Sequence, residues 1–272
     1  MTTTSFGDVR PVGEQLRAWR QRRRLSQLEL ALEADVSTRH LSFVETGRSV
    51  PSREMVLRLC EHLDVPLRDR NLLLVSAGYA PVYAETSMEE PRMDSVRAAL
   101  RQLLTGHEPH PAIVVDRYWN LIDANAAAGL FMEGAAPELL EPPVNALRLS
   151  MHPSGLARHI VNLAEWRAHM VDRVRRHVAL TADESLAQLY RELRDFPVAS
   201  DEDAPTPLFP KPTGNEVMVP LRVRMNGREL SFFSMIATFG SPVDITLAEL
   251  AIESFYPADE ETAAFLRERA GW

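Results

Sequence analysis

Through the first eighty residues apolar side chains recur every three or four positions, a helical period that predicts five short helices. The first covers about 13–23, with Leu16, Trp19 and Arg20 at helical spacing. Ser26 is placed to cap the second, with Glu29 as its capping-box partner three residues on. Leu28 (or Leu30), Ala31 and Leu32 would turn toward a small core, and Asp35 would take the turn that follows. Left-handed backbone at such a turn suits glycine, and Asp is among the few other residues that tolerate it. Ser37 would cap the third helix, with Val36, Leu41 and Val44 inward and Ser37, Thr38, Arg39, His40, Ser42 and Phe43 outward. Gly47 stands where a helix C-cap wants glycine. A fourth helix begins at Pro51-Ser52, with Met55, Val56, Leu59 and Leu63 on one face, and a fifth runs from about Leu67 to Ala77 and closes at Gly78.

Beyond Gly78 the pattern changes. An acidic, proline-containing stretch, Glu85 to Pro91, reads as a linker, followed by a helix of about Met93 to Leu104 with Val96, Leu100 and Leu103 on one face. Pro111–Asp116 is a continuous apolar run of strand length, Arg117–Asp123 a turn and second strand, and Ala124–Ala128 the opening of a helix. Long helical periodicity then covers about Ala157 to Val178, with Ile160, Leu163, Trp166, Met170 and Val174 on one stripe, and about Ala182 to Leu193. Two apolar runs, Val217–Met225 and Arg228–Phe239, flank Asn226-Gly227, the pair that favours a two-residue hairpin turn. That turn would pair Arg224 with Glu229, Val223 with Leu230 and Leu221 with Phe232. It would gather Val217, Val219, Leu221, Val223, Leu230, Phe232 and Ile236 on one face.

The pattern therefore predicts an all-α module at residues 1–80, a connecting segment at 81–108 and an α+β domain with an antiparallel sheet at 109–272. A chain of 272 residues suits two domains. The net charge of −8 argues against nucleic acid until it is divided: residues 1–80 hold 12 basic against 10 acidic side chains, and residues 81–272 hold 18 against 28. The acidity belongs to the second part. The first carries Arg17, Arg20, Arg22, Arg23 and Arg24, a cluster that fits phosphate contact or, more commonly, a solvated helix face. Arg20 and Arg24 are expected on solvent. A single cysteine, Cys60, excludes an internal disulfide and is expected to be a buried small hydrophobe. No apolar run has membrane-spanning length, and the segment Met1–Val12 has no leader-like core, so a cytoplasmic protein is expected.

The helix, tight turn and second helix at 26–48 carry several fixed offsets of one motif. With Gln27 opening the second helix and Glu45-Thr46-Gly47 closing the third, residues 12–78 resemble the Cro/C1-type (XRE) helix-turn-helix domain. The resemblance implies that Gln27 touches a phosphate and braces the recognition helix. Thr38, Arg39, Ser42 and Phe43 would face base edges, Ser37 and Arg48 the DNA backbone, with His40 beside them. Arg39 has the fork that fits guanine O6 and N7, and Phe43 suits a thymine methyl. Asp35 departs from the glycine common in that family. Further on, the strand, turn, strand and small-residue helix beginning at Asn125 resemble a PAS domain. With Arg39–Phe43, Gly78-Tyr79-Ala80-Pro81, Phe239–Leu247 and Phe255–Asp259, the chain from about 12 to 268 resembles MmyB-like transcriptional regulators. The resemblance implies an XRE reader joined to a PAS-like sensor for a small, lipophilic, fatty-acid-like ligand.

Candidate ligand-binding residues are Trp119, Asn125, Phe131, Trp166, His169, Arg173, Phe232 and Met235; taken singly, the apolar ones read equally as ordinary core. Arg158, Arg167, Arg173, Arg175 and Arg176 suit a ligand carboxylate or, as helical charges usually do, ion pairs at the surface. His107-Glu108-Pro109-His110 has the wrong spacing and a helix-breaking proline for a zinc site. His159 and His169 would stand roughly 15 Å apart on one helix. No P-loop, dinucleotide or nucleophile-elbow motif occurs. The expectation is no enzyme, no cofactor and no metal. It is instead a homodimeric regulator of a double-stranded DNA operator, with half-sites about 34 Å apart. An antitoxin-like or scaffold role without a ligand, and an enzyme in the second domain, are the alternatives.

Overall fold

A computed structural model of the chain describes residues 10–197 and 218–271. It divides into two units, residues 1–86 with 241–248, and residues 87–240 with 249–272.

The first unit holds the five expected helices: α1 (Val12–Arg22), α2 (Gln27–Glu33), α3 (Thr38–Glu45), α4 (Arg53–His62) and α5 (Leu67–Ser76). The ends are where the polar residues put them. Ser26 and Glu29 form the reciprocal capping box, and Ser37 and Ser52 accept from the amides of His40 and Met55. Asp35 has a positive φ of 49°, as the turn requires. Leu16, Trp19, Leu30, Ala31, Leu41, Val44, Val56, Leu59 and Leu63 form the core, with Cys60 inside it. Burial pushes that thiol up to about 12, which leaves it unreactive. Leu28 and Leu32 are corrections: 58% and 72% exposed, they lie outward, while Leu30, Ala31 and Ala34 face in. Gly13 lets α1 lie against α3, because a β-carbon there would come within 2.1 Å of the Val44 carbonyl oxygen. Residues after α5 stay with this unit. Asn71 bonds the backbone of Val82 and Tyr83, and Thr86 donates to Asp244 at 2.6 Å.

The second unit opens with α6 (Asp94–Gly106), which buries Leu100 and Leu104 and leaves Leu103 outward, one helical position away from the expected face. The strands are β1 (Ala112–Val115), β2 (Leu121–Ala124), β3 (Leu221–Met225), β4 (Arg228–Thr238) and β5 (Ala251–Pro257), all antiparallel in the order β2-β1-β5-β4-β3. Among the described residues between β2 and β3 run three 3-10 segments, Ala126–Met132, Pro137–Leu139 and Leu156–His159, and the helices α7 (Ala146–Met151), α8 (Leu163–Thr181) and α9 (Glu184–Asp195). The last helix, α10, is Glu260–Ala270. This is an α+β PAS-like domain with an antiparallel sheet.

The hairpin has the expected register, Leu221 with Phe232, Val223 with Leu230 and Arg224 with Glu229. Asn226 and Gly227 both have positive φ, which matches the twist of the flanking strands. Leu221, Val223, Leu230 and Phe232 are buried, but Ile236 is 40% exposed, because β4 runs past the end of β3 there. Val217 lies outside the described residues. The long helix begins later than expected, at Leu163. Before it, Ile160 bridges to Val223 and Asn162 bonds the backbone of Pro220 and Arg222, so this segment follows the edge of β3 instead. The central strand β5 and helix α10 were not expected from the pattern.

Candidate functional site

Two regions of chemistry can be built up from their residues. In the first unit, α3 presents Arg39 and His40 exposed and Thr38, Ser42 and Phe43 half-buried. Arg39 and Arg48 converge on the Phe43 ring, their guanidinium carbons 5.3 and 6.0 Å from its centre. Two cations held over one aromatic ring on a helix face make a positive surface with an apolar centre. Ser37 spends its oxygen as acceptor for the His40 amide, which leaves the hydroxyl proton to donate outward.

Beneath that face lies a buried ion pair that the hydrophobic pattern did not disclose. Arg20 donates from Nε and Nη2 to the two carboxylate oxygens of Glu45, at 2.6 and 2.9 Å, and from Nη1 to the Leu25 carbonyl at 2.7 Å. Gln27 donates to the same carboxylate at 2.7 Å. Gln27 thus ties α2 to the end of α3. Arg20 is 8% exposed and Glu45 4%, which corrects the expectation that Arg20 lies on solvent. The carboxylate bonds raise the Arg20 pKa further above its ordinary value. The rest of the arginine cluster separates: Arg22 stacks on Trp19 at 4.0 Å, and Arg23 bonds the carbonyls of Leu63 and Asp64 beyond α4. Arg17 and Arg24 remain exposed.

In the second unit a cavity of about 60 Å³ lies between the sheet and the helices. Trp119, Phe131, Trp166, Met170, Leu221 and Phe255 are among its walls, which are apolar except at Ser150 and Glu253. Trp119 is held by a strained turn. Its φ is +67°, rare for a bulky side chain. Asp116 accepts from the amides of Tyr118 and Asn120 at 2.8 and 2.9 Å, Asn145 donates to the Tyr118 carbonyl, and the Trp119 carbonyl accepts from Ala146. So many bonds over-determine the turn and fix the indole as a cavity wall. Arg173 stacks over that indole at 4.4 Å and reaches Glu253 at 3.5 Å. Burial pushes the Glu253 carboxyl above its usual range, against the opposing pull of Arg173 and Ser234. Burial also lowers the Arg173 pKa.

Of the sequence candidates, Trp119, Phe131 and Trp166 line the cavity, and Arg173 touches two of its wall residues. Asn125 stands apart: its amide bonds the backbone of Leu104, His110, Ala112 and Ala128, filling all four of its positions. Phe232 packs against Phe131 in the core behind the wall. His169 lies beside the Trp166 ring, and Met235 is 59% exposed on β4. Glu253 escaped sequence reasoning, since one carboxylate in a short strand carries no periodic signal. His107 and His110 pack their rings around Tyr256, and Glu108 accepts from the Ala126 amide.

Comparison with known families bears on both regions. Residues 96–268 match the family described as MmyB-like transcription regulator ligand binding domain. The chain belongs to this family. Residues 11–73 match a helix-turn-helix domain family. No curated protein matches the sequence. This MmyB-like protein is a DNA-binding transcription regulator with a ligand-binding domain, and no helix among its described residues is long and apolar enough to cross a membrane.

Proposed function

We propose that this MmyB-like regulator reads a specific operator through Thr38, Arg39, Ser42 and Phe43. Gln27, Ser37, His40 and Arg48 hold the neighbouring backbone, and a small apolar ligand in the second unit sets the affinity. The observation that carries the reading is the apolar cavity walled by Trp119, Phe131 and Trp166 inside the matched ligand-binding domain. Its size favours a compact molecule; a fatty-acid-like ligand would need the flexible Met132 and Met170 walls to yield. The protein would act in the cytoplasm as a homodimer on an inverted repeat, each recognition helix entering one major groove. The ligand alters DNA affinity only through a different affinity for the DNA-competent and incompetent states.

The test is selection of binding sites from a random duplex library with the full chain, then titration of the selected operator with and without molecules extracted from the purified protein. An enriched inverted repeat whose affinity shifts with the extract supports the reading. Enrichment without any ligand effect would leave a plain repressor or scaffold, and no enrichment would remove the operator itself.

A further inference from the structure

The chain passes between its two units at Thr86–Ser87, at Gly240–Ser241 and again at Ala248–Glu249. Two domains strung in series need a single passage. The other two arise because Ser241–Ala248, which joins the neighbouring strands β4 and β5, belongs to the first unit. Adjacent antiparallel strands are usually joined by about 2–5 residues, whereas residues 239–250 lie between Thr238 and its partner Ala251. The extra length makes a clasp. Asp244 accepts from the Thr246 and Leu247 amides with one oxygen, which starts the helical turn Ile245–Ala248, and from the Thr86 hydroxyl with the other at 2.6 Å. The Ile245 amide donates to the Ala84 carbonyl at 2.8 Å, and Ile245 and Thr86 are both buried. Asn71 fastens Val82 and Tyr83 to α5. Ser76 at the end of α5 accepts from Gln15 on α1 at 2.7 Å, and Arg20 on α1 holds Glu45 on α3.

We propose that Ser241–Ala248 is a strap through which the ligand-binding sheet and the DNA-reading unit are coupled, with the Thr86–Asp244 bond as its fastening. The inference rests on the regulator reading above and supplies the route by which a ligand alters DNA affinity. Coupling carried by contact needs a contiguous set of bonded and packed groups whose state both sites bias. Such a set begins on β5, which carries the cavity-wall residues Glu253 and Phe255 and is joined directly to the strap. It continues through Asp244 to residues 84–86, and from there through α5 and α1 to the end of α3. Coupling of this kind is reciprocal, so a change in the first unit reaches β5 by the same strap. A loop that only joined two strands would leave α5 indifferent to changes in the sheet.

The experiment reads native-state hydrogen exchange by mass spectrometry on the full chain, with no ligand or operator added. Phe255→Leu loosens the buried face of β5 from the sheet side, and Gly13→Ala forces α1 off α3 from the other. With the clasp intact, Phe255→Leu should speed exchange in α5 and residues 82–86 by about fivefold, the factor one net hydrogen bond supplies. Gly13→Ala should speed exchange in residues 249–257 by a similar factor. Both distant responses should disappear in the Thr86→Val background, which removes the fastening, and in Thr86→Val/Ile245→Ala, which also removes the packing beneath it. Each local response should remain, which shows that the variants are folded. Thr86→Ser keeps the hydroxyl and should restore the distant responses. Distant responses absent with the clasp intact, or equal in the clasp variants, overturn the strap and leave ligand binding and operator reading standing. Failure of those readings would instead appear in the operator selection and titration, with the exchange pattern unaltered.

Discussion

Replacing Arg20 by Met should unfold the DNA-reading unit far more readily than its place in an arginine-rich helix suggests. The Glu45 carboxylate accepts three hydrogen bonds from side chains, two from Arg20 and one from Gln27, and is almost wholly removed from water. Arg20→Met takes away two of the three and the charge that balances it. Breaking a buried pair by deleting one partner costs about 3–5 kcal/mol, because the remaining charge stays buried. Against a total stability of about 5–15 kcal/mol, that lowers the folded-to-unfolded ratio by about a hundred- to a few thousandfold. Native-state hydrogen exchange on peptides covering residues 16–46 reads this unit separately from the other tryptophan-containing domain. The double variant Arg20→Met/Glu45→Leu should recover to within about 2 kcal/mol of wild type, since a buried pair and its apolar replacement nearly break even. Gln27, half-buried, can then turn to water. A loss below about 1 kcal/mol in Arg20→Met would refute the reasoning, for it would show that the carboxylate is solvated or neutral in the native fold.

Other outcomes follow from the same geometry. Gly13→Ala should cost at least about 2 kcal/mol by urea denaturation, because a methyl group cannot occupy the space of the Val44 carbonyl and α1 must move off α3; a neutral effect would mean that the two helices do not pack this closely. Arg39→Ala should weaken binding to the selected operator by about 1–3 kcal/mol and relax one base position; unchanged affinity and preference in gel-shift titrations would remove Arg39 from base reading. Burial lowers the pKa of His177 and of His169 below the ordinary 6.5. The unfolded chain therefore takes up those protons first, so stability holds above about pH 6.5 and falls as pH drops below it. Urea midpoints between about pH 7 and 5 should show this fall, and His177→Gln/His169→Gln should flatten it. Glu253 acts in the opposite sense. Its raised pKa makes the folded chain the better proton binder above the ordinary carboxylate value of 4.5, so its cost to stability grows as pH rises from there, and Glu253→Gln should remove that slope.

Much of the fold was legible along the chain because the deciding physics is local. Ser26, Ser37 and Ser52 mark helix starts since a hydroxyl one residue outside a helix satisfies an otherwise orphaned amide. Asn226-Gly227 fixes the register of β3 and β4 because the turn admits one backbone geometry. Trp119, Phe131 and Trp166 could be named as cavity candidates by size and apolarity alone. Tertiary structure decided where locally similar residues part company. Arg20 and Arg17 read alike in sequence, yet only Arg20 meets a carboxylate 25 positions away. Leu28 and Leu30 differ by two positions on α2, and only the packing of α3 and α4 against it selects Leu30 for the core. The strand β5 was hidden because one of its two neighbours, β1, is remote in sequence, and its buried carboxylate breaks the apolar pattern by which strands are recognised. Periodicity reports which face of an element is apolar, whereas the partner of a buried charge is set by distant chain segments that meet only on folding.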